Sequence, residues 1–167
     1  MRGGALLLLS SVALAAPDGQ RFDGARCSFT VPSGSKVTDG TDVAAEHAYD
    51  VEVPGLPGHA HLFFGDGRTT DGDVEAMATA WRDKRLRNRA SWGVHASGDH
   101  RVRSVQVNGR RGVALTDDLT TTFGGRQVMV CYATAGRLAC AAASGRPERE
   151  HAIEDLLTRM LASLRLR

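Results

Sequence analysis

Long apolar runs are missing from this sequence. A membrane-spanning helix needs about 20 consecutive apolar residues, whereas the longest largely apolar stretch covers only residues 5–14. A strong charge of one sign is missing too, because 21 Lys and Arg residues are balanced by 19 Asp and Glu residues, for a net charge of +2. Proteins that bind nucleic acid concentrate positive charge on one surface. The sequence therefore predicts no transmembrane anchor in the mature form and no nucleic-acid partner.

Recognisable catalytic motifs are also missing. The chain contains no Gly-x-Ser-x-Gly nucleophile elbow, which would place a serine on a sharp strand-to-helix turn. Cys27 follows Arg26, and a neighbouring positive charge can lower the pKa of a thiol. A catalytic thiol also needs a base, and no histidine is marked out for that role by its spacing. We therefore predict no catalytic residues and no cofactor.

The N-terminus is typical of a secretory signal peptide. One arginine precedes the apolar segment, and small alanines follow it, which together make the three parts of such a signal. The pattern predicts a signal peptide over residues 1–15 with cleavage before Ala16. The protein is therefore expected to be exported to the periplasm or the extracellular space.

Three cysteines in an exported protein make a disulfide plausible. Two predicted strands flank Ala135-Gly136, and a two-residue turn there would place Cys131 opposite Cys140, where the side chains approach closely. A type I turn with a bulge at Gly136 would shift the pairing by one residue and separate the two thiols. The first register predicts a Cys131–Cys140 disulfide with Cys27 free, and the alternative is three unpaired thiols.

Hydrophobic periodicity predicts a single α+β domain over residues 27–167, preceded by a flexible lead-in over residues 16–26. Asn108-Gly109 is a strong signal for a tight hairpin between two strands. Two amphipathic helices need a sheet to pack against, which favours the α+β class. The predicted strands are residues 28–31, 43–53, 59–64, 102–107, 110–115, 127–134 and 137–144, and the predicted helices are residues 73–89 and 148–164.

The helix in the middle of the chain is predicted to be amphipathic, with Asp73 as its N-cap. Its apolar side is formed by Val74, Met77, Ala78 and Trp81. Its charged side is expected to point to solvent, and consists of Arg82, Asp83, Lys84, Arg85 and Arg87.

Two histidines on one predicted strand are candidates for metal binding. His59 and His61 alternate along the strand, so their side chains share a face and could hold an ion together with a third ligand. Asp66, Asp71 or Asp73 could supply that ligand. The pair fits no fixed-spacing zinc pattern, and exposed or packed histidines explain it equally simply. We therefore predict no metal site, with His59, His61 and Asp66 as the candidates if one exists.

Three arginines of the first predicted hairpin form a second candidate site. With Asn108-Gly109 as a two-residue turn, Arg101, Arg103 and Arg110 fall on the face opposite Val102, Val113 and Leu115. They could form a basic strip for an anionic partner, such as a lipid head group or an acidic protein. Solvated surface charge is the alternative.

The order of these signals resembles the PsbP-like superfamily, which includes DcrB-like bacterial envelope proteins. The resemblance is carried by the early Phe29-Thr30-Val31-Pro32 strand, the mid-chain helix, the two hairpins and the closing helix. It implies an α+β fold in which an antiparallel β-sheet is sandwiched between helices. It also implies a binding or assembly module without a shared catalytic set, although fold alone is a weak guide to function.

Together these features predict an exported, non-catalytic accessory domain of the bacterial cell envelope or secreted fraction. We expect it to recognise a protein or an anionic envelope component. One alternative is a metal-dependent hydrolase that uses His59 and His61. Another is an effector-binding chaperone, a role of some DcrB-like relatives in the cytoplasm, against which the signal peptide argues.

Overall fold

The computed structural model describes residues 19–120 and 125–167. The predicted signal peptide, residues 1–15, lies outside the described part of the chain. The strands are β1 (Gly19–Asp23), β2 (Cys27–Pro32), β3 (Lys36–Gly40), β4 (His47–Glu52), β5 (His59–Arg68), β6 (His95–Val107), β7 (Arg110–Thr120), β8 (Gly125–Thr134), β9 (Arg137–Gly145) and β10 (Arg165–Leu166). The helices are α1 (Val74–Ala90) and α2 (Glu150–Ala162).

Seven of these strands form one antiparallel sheet in the order β3-β4-β5-β9-β8-β7-β6. A smaller sheet has the order β1-β2-β10. The predicted α+β class, built on an antiparallel sheet, is therefore confirmed. Within the described residues, no helix combines the length and the apolar character that a membrane span requires.

Two tight turns set the register of the large sheet. Asn108 and Gly109 have φ angles of 52° and 74°, and Ala135 and Gly136 have φ angles of 49° and 70°. Positive φ at both central residues is the type I′ geometry that matches the twist of the flanking strands. Both predicted hairpins are therefore confirmed as two-residue turns.

The second hairpin brings two cysteines together. Cys131 lies directly opposite Cys140 in the β8–β9 ladder, and their Cα atoms are 4.2 Å apart. Their sulfur atoms are 2.06 Å apart, at disulfide-bond distance. Cys27 is buried and unpaired. The register with the two-residue turn, rather than the bulged one, thus holds.

The two helices lie on opposite faces of the large sheet. Successive side chains of a strand point to opposite faces, so alternate residues of one strand contact different helices. On β8, Val128, Val130 and Tyr132 belong to the core under α2, whereas Met129 and Cys131 belong to the core under α1. The α2 face is apolar, as predicted. Its buried apolar helix residues are Ile153, Leu156, Leu157, Met160 and Leu161, followed by Leu164 just beyond the helix.

The helix ends differ in detail from the prediction. Asp73 makes no side-chain cap hydrogen bond, because its carboxylate accepts one from the Thr70 hydroxyl at 2.6 Å instead. The closing helix begins at Glu150, after a 3-10 turn at Pro147–Arg149.

Several strands depart from the sequence prediction. The lead-in is not flexible throughout, since β1 pairs with β2 and the Phe22 ring packs 5.2 Å from the Phe29 ring. β3 and β10, which the prediction omitted, pair with β4 and β2 respectively. The strand predicted over residues 43–53 covers only His47–Glu52, and Asp42 holds the preceding segment in a turn by accepting a hydrogen bond from the Ala44 amide.

Candidate functional site

The candidate metal ligands do not converge on one point. His61 Nδ1 lies 2.7 Å from Asp50 Oδ1, while Asp66 lies 3.0 Å from His47 Nε2. His59 is exposed and lies opposite Glu52 in the β4–β5 ladder. Among the described residues, no group of three or more His, Cys, Asp or Glu side chains could hold a metal ion. The described structure therefore does not bring His59, His61 and Asp66 together, because acid–histidine pairs form at separate places.

The predicted basic strip lies on one face, but it is not free. The β6–β7 register places Arg103 opposite Ala114, so these arginines do face away from Val113 and Leu115. Each arginine has an acidic neighbour in the fold, which neutralises the charge that was expected to attract an anionic partner. The three ion pairs are Arg101–Glu150, Arg103–Glu154 and Arg110–Asp71.

Two arginines that the sequence placed in solvent point inward instead. Arg82 Nε lies 3.0 Å from each carboxylate oxygen of Asp117, whose side chain is 2% exposed. Arg85 donates from Nη1 to Asp42, and its guanidinium carbon lies 4.4 Å above the Phe63 ring. A bidentate or stacked guanidinium can be held in a protein interior where an isolated one cannot. Their outward orientation was predicted wrongly, since the sequence pattern of α1 does not reveal carboxylates on the sheet beneath it.

A polar row crosses the sheet on the α1 side. Asp117, Gln127 and Ser144 lie side by side on β7, β8 and β9, and His100 Nδ1 lies 3.4 Å from Asp117 Oδ1. Gln127 is 1% exposed, yet neither atom of its amide has a hydrogen-bond partner among the described residues. In this described part of the chain, six of the seven buried side-chain polar atoms without a partner belong to this row, including His100, or to Arg85. Buried polar groups without partners are unusual in folded proteins, so we expect a functional site on this side of the sheet.

A pocket of about 340 Å³ opens beside the C-terminal half of α1. Its charged wall includes Arg89 and Arg85, and the buried Nε of Arg85 has no partner among the residues that the structure describes. Among the side chains that the structure describes, no carboxylate lies within ion-pair distance of Arg89. The residues that line the pocket are Thr41, Asp42, Val43, Asp50, His61, Arg85, Asn88, Arg89 and Trp92.

Burial controls the electrostatics of this pocket. Burial and, to a smaller extent, the nearby charge of Arg89 together lower the pKa of Arg85 to about 10. Burial also lowers the pKa of Arg89, but both guanidinium groups stay charged at neutral pH. Burial lowers the pKa of His61 more than the hydrogen bond with Asp50 raises it, so the imidazole is neutral at pH 7. The pocket thus holds two arginine charges, one of them without an acidic neighbour.

A larger pocket of about 610 Å³ lies beside β3 and β4, near Tyr49. None of the residues that line it has a buried polar atom without a partner. Beneath Tyr49, burial raises the pKa of the Cys27 thiol to about 11. Because only the thiolate is a good nucleophile, Cys27 is inert at neutral pH. The smaller pocket beside α1 is therefore the better candidate site.

No family profile matches this chain, and no curated protein matches it in sequence. A search of solved structures finds similarity to the solution structure of cyanobacterial PsbP (CyanoP) from Synechocystis sp. PCC 6803. The match has a TM-score of 0.60 and 13% sequence identity, and it covers 96% of this chain and 99% of the other. At this identity the similarity concerns the fold alone, so the chain has a PsbP-like fold.

Proposed function

We propose that this protein is an exported, non-catalytic binding domain of the bacterial cell envelope or secreted fraction that recognises an anionic group on a protein or an envelope component. The observation that carries the proposal is the pocket beside α1, where Arg85 and Arg89 are held together. The PsbP-like fold supports an accessory role, in line with the resemblance seen in the sequence.

Arg85 and Arg89 repel each other and are partly desolvated, which is unfavourable unless a negative charge compensates. Asp42 compensates Arg85 through one nitrogen only, and the Nε of Arg85 has no partner. A bound anion would accept hydrogen bonds from both guanidinium groups, and charge-assisted bonds of this kind are the strong ones. The pocket is therefore suited to anion recognition.

The pocket favours binding over catalysis. His61 and Asp50 form a hydrogen-bonded pair, which a hydrolase could use as a base, but an activated nucleophile must lie within hydrogen-bond reach of such a base. The pocket-lining side chains include neither serine nor cysteine, and the hydroxyl present is that of Thr41. A hydrolase built on His59 and His61 would also require the metal ligands that the described residues do not bring together.

Nuclear magnetic resonance titration of the protein with acetate, inorganic phosphate and sulfate tests anion recognition. We expect at least one of these anions to produce saturable shifts at the Trp92 indole and the Arg89 side chain. The Arg89→Gln variant should lose the response. The Arg87→Gln variant is the matched control, since Arg87 is an exposed arginine on the same helix. No saturable shift at the pocket with any anion would refute the proposal.

Export is a separate part of the proposal. The disulfide-bonded pair of cysteines supports an oxidising compartment, and the N-terminal pattern supports cleavage before Ala16. N-terminal sequencing of protein recovered from the periplasm or the medium should read Ala16-Pro17-Asp18. Recovery of the whole chain, with residues 1–15 attached, from the cytoplasm would contradict export.

A further inference from the structure

The rim of the pocket beside α1 is apolar, whereas its wall is charged. Trp92 is 77% exposed and Val43 is 40% exposed. They are two of the three large apolar side chains that the described residues leave exposed, and both line this one pocket. Scattered exposed apolar residues need no explanation, but two on the rim of a charged pocket form a binding surface with two different parts.

The ion pairs of the wall favour a ligand with one negative charge. Asp42 pairs with Arg85 and Asp50 is hydrogen-bonded to His61, which leaves Arg89 as the guanidinium group without a carboxylate partner among the described side chains. A doubly charged phosphate would therefore bring an excess of negative charge into a partly desolvated site. A carboxylate brings only one negative charge. Its two oxygens also match the parallel N–H groups of a guanidinium, which gives Arg89 a bidentate partner.

The size of the pocket is consistent with such a ligand. A volume of about 340 Å³ lies at the small end of the range for sites that bind small molecules, roughly 300–1,000 Å³. An aromatic ring with a short carboxylate arm fits this volume. The Trp92 indole offers a flat surface on which an apolar ring can stack.

We propose that the pocket binds a monocarboxylate attached to an apolar or aromatic body, with the carboxylate on Arg85 and Arg89 and the body against Trp92 and Val43. This inference rests on the proposed function and names the ligand class for the same site. The carboxylate can belong to a small acid or to the C-terminal residue of a peptide, because both present the same group next to a side chain.

Phenylacetate, phenylacetamide and inorganic phosphate separate the possibilities, with binding followed at the Trp92 indole N–H by nuclear magnetic resonance. Phenylacetate should bind saturably. Phenylacetamide has nearly the same shape without the charge, and should bind at least about tenfold more weakly, since the charge-assisted hydrogen bonds are lost. Acetate, which lacks the ring, should bind more weakly than phenylacetate.

Single substitutions test which protein side chain contacts each part of the ligand. Arg89→Gln should weaken phenylacetate binding by about tenfold or more, whereas Arg87→Gln should leave it unchanged. With binding followed at the Arg89 side chain in place of the missing indole, Trp92→Ala should weaken phenylacetate severalfold and leave acetate unaffected. The melting temperature of each variant checks that it folds. A peptide ending in Phe, compared with its C-terminal amide, distinguishes a peptide terminus from a small acid as the source.

The outcomes separate this inference from the proposed function. Equal binding of phenylacetate and phenylacetamide would overturn the role of the carboxylate. Tighter binding of phosphate than of phenylacetate would overturn the ligand class while leaving anion recognition intact. Absence of binding by every anion would refute both.

Discussion

The two faces of the large sheet are built on different principles. The α2 face is packed with apolar side chains, and the buried Tyr132 hydroxyl donates to the Leu161 carbonyl at 2.8 Å. The α1 face combines a smaller apolar core with ion pairs, a polar row and most of the buried polar atoms that lack partners. Apolar burial stabilises a fold, whereas unsatisfied polar groups destabilise it. We infer that the α2 face supplies stability and the α1 face retains unfavourable groups for function.

The largest expected effect is the loss of stability when a core residue on each face is truncated to alanine. Leu157 in α2 is fully buried, so Leu157→Ala should lower the free energy of unfolding by about 2–5 kcal/mol. Met77 in α1 is only partly buried, and Met77→Ala should cost about 1 kcal/mol. Urea denaturation measures both values. Equal losses would show that the two faces contribute alike.

Reduction of the disulfide, which lies on the α1 side, should have the next largest effect on the free energy of unfolding. Cys131 and Cys140 both belong to the core under α1, where packing is less extensive. The bond closes a short loop, with a sequence separation of 9, so reduction should lower the free energy of unfolding by about 2 kcal/mol. Urea denaturation with and without reductant measures this, and mass spectrometry under both conditions verifies the pairing. Unchanged mass and stability on reduction would mean that the thiols are unpaired.

The local features of this fold could be predicted from the sequence, because short-range signals determine them. Asn108-Gly109 specifies a type I′ turn by its own backbone preferences, and the leucine spacing of α2 specifies its buried face. The strand β1 was missed because Phe22 is a single apolar residue in a polar segment. Its ring is only partly buried, and it depends on contacts with Phe29 of β2 and Tyr49 of β4.

The candidate site could not be predicted, since it depends on contacts between distant parts of the chain. The ion pair of Arg85 with Asp42 spans 43 residues, and that of Arg82 with Asp117 spans 35. In the sequence these arginines occupy the polar side of an amphipathic helix, where solvent exposure is the usual outcome. Only the sheet order shows that the pocket forms where this helix meets β4 and β5.

A smaller effect on stability tests whether Arg89 is retained for binding. Arg89 is partly desolvated and has no carboxylate partner among the described side chains, so its charge opposes folding. Arg89→Gln should therefore raise the free energy of unfolding by about 1 kcal/mol, while Arg87→Gln changes it little. Thermal and urea denaturation of both variants, without ligand, make the comparison. A destabilised Arg89→Gln protein would indicate a structural role for this guanidinium group.

The smallest expected effect is a pH dependence of carboxylate binding, which arises from His61. Burial lowers the pKa of His61 in the free protein, and a bound anion in the same pocket would raise it by favouring the charged imidazole. Because protonation and anion binding then assist each other, affinity should increase severalfold as the pH falls from about 7.5 to 5.5, above the range in which a carboxylate ligand is itself protonated. The charged and titratable groups that face His61 are Asp50 on β4, Arg85 and Arg89 on α1, Asp42 before β4 and His59 on the same strand.

His61→Asn separates this effect from the other groups, because asparagine retains a donor for Asp50 but does not titrate. Phenylacetate affinity of this variant should be nearly constant over the same pH range. His95→Asn is the matched control, since His95 is exposed and outside the pocket lining, and it should keep the pH dependence of the unmodified protein. A pH dependence that persists in His61→Asn would assign the proton to one of the two carboxylates instead. The α1 face would then still bind the anion, but its charge would be set by Asp42 or Asp50 rather than by the histidine.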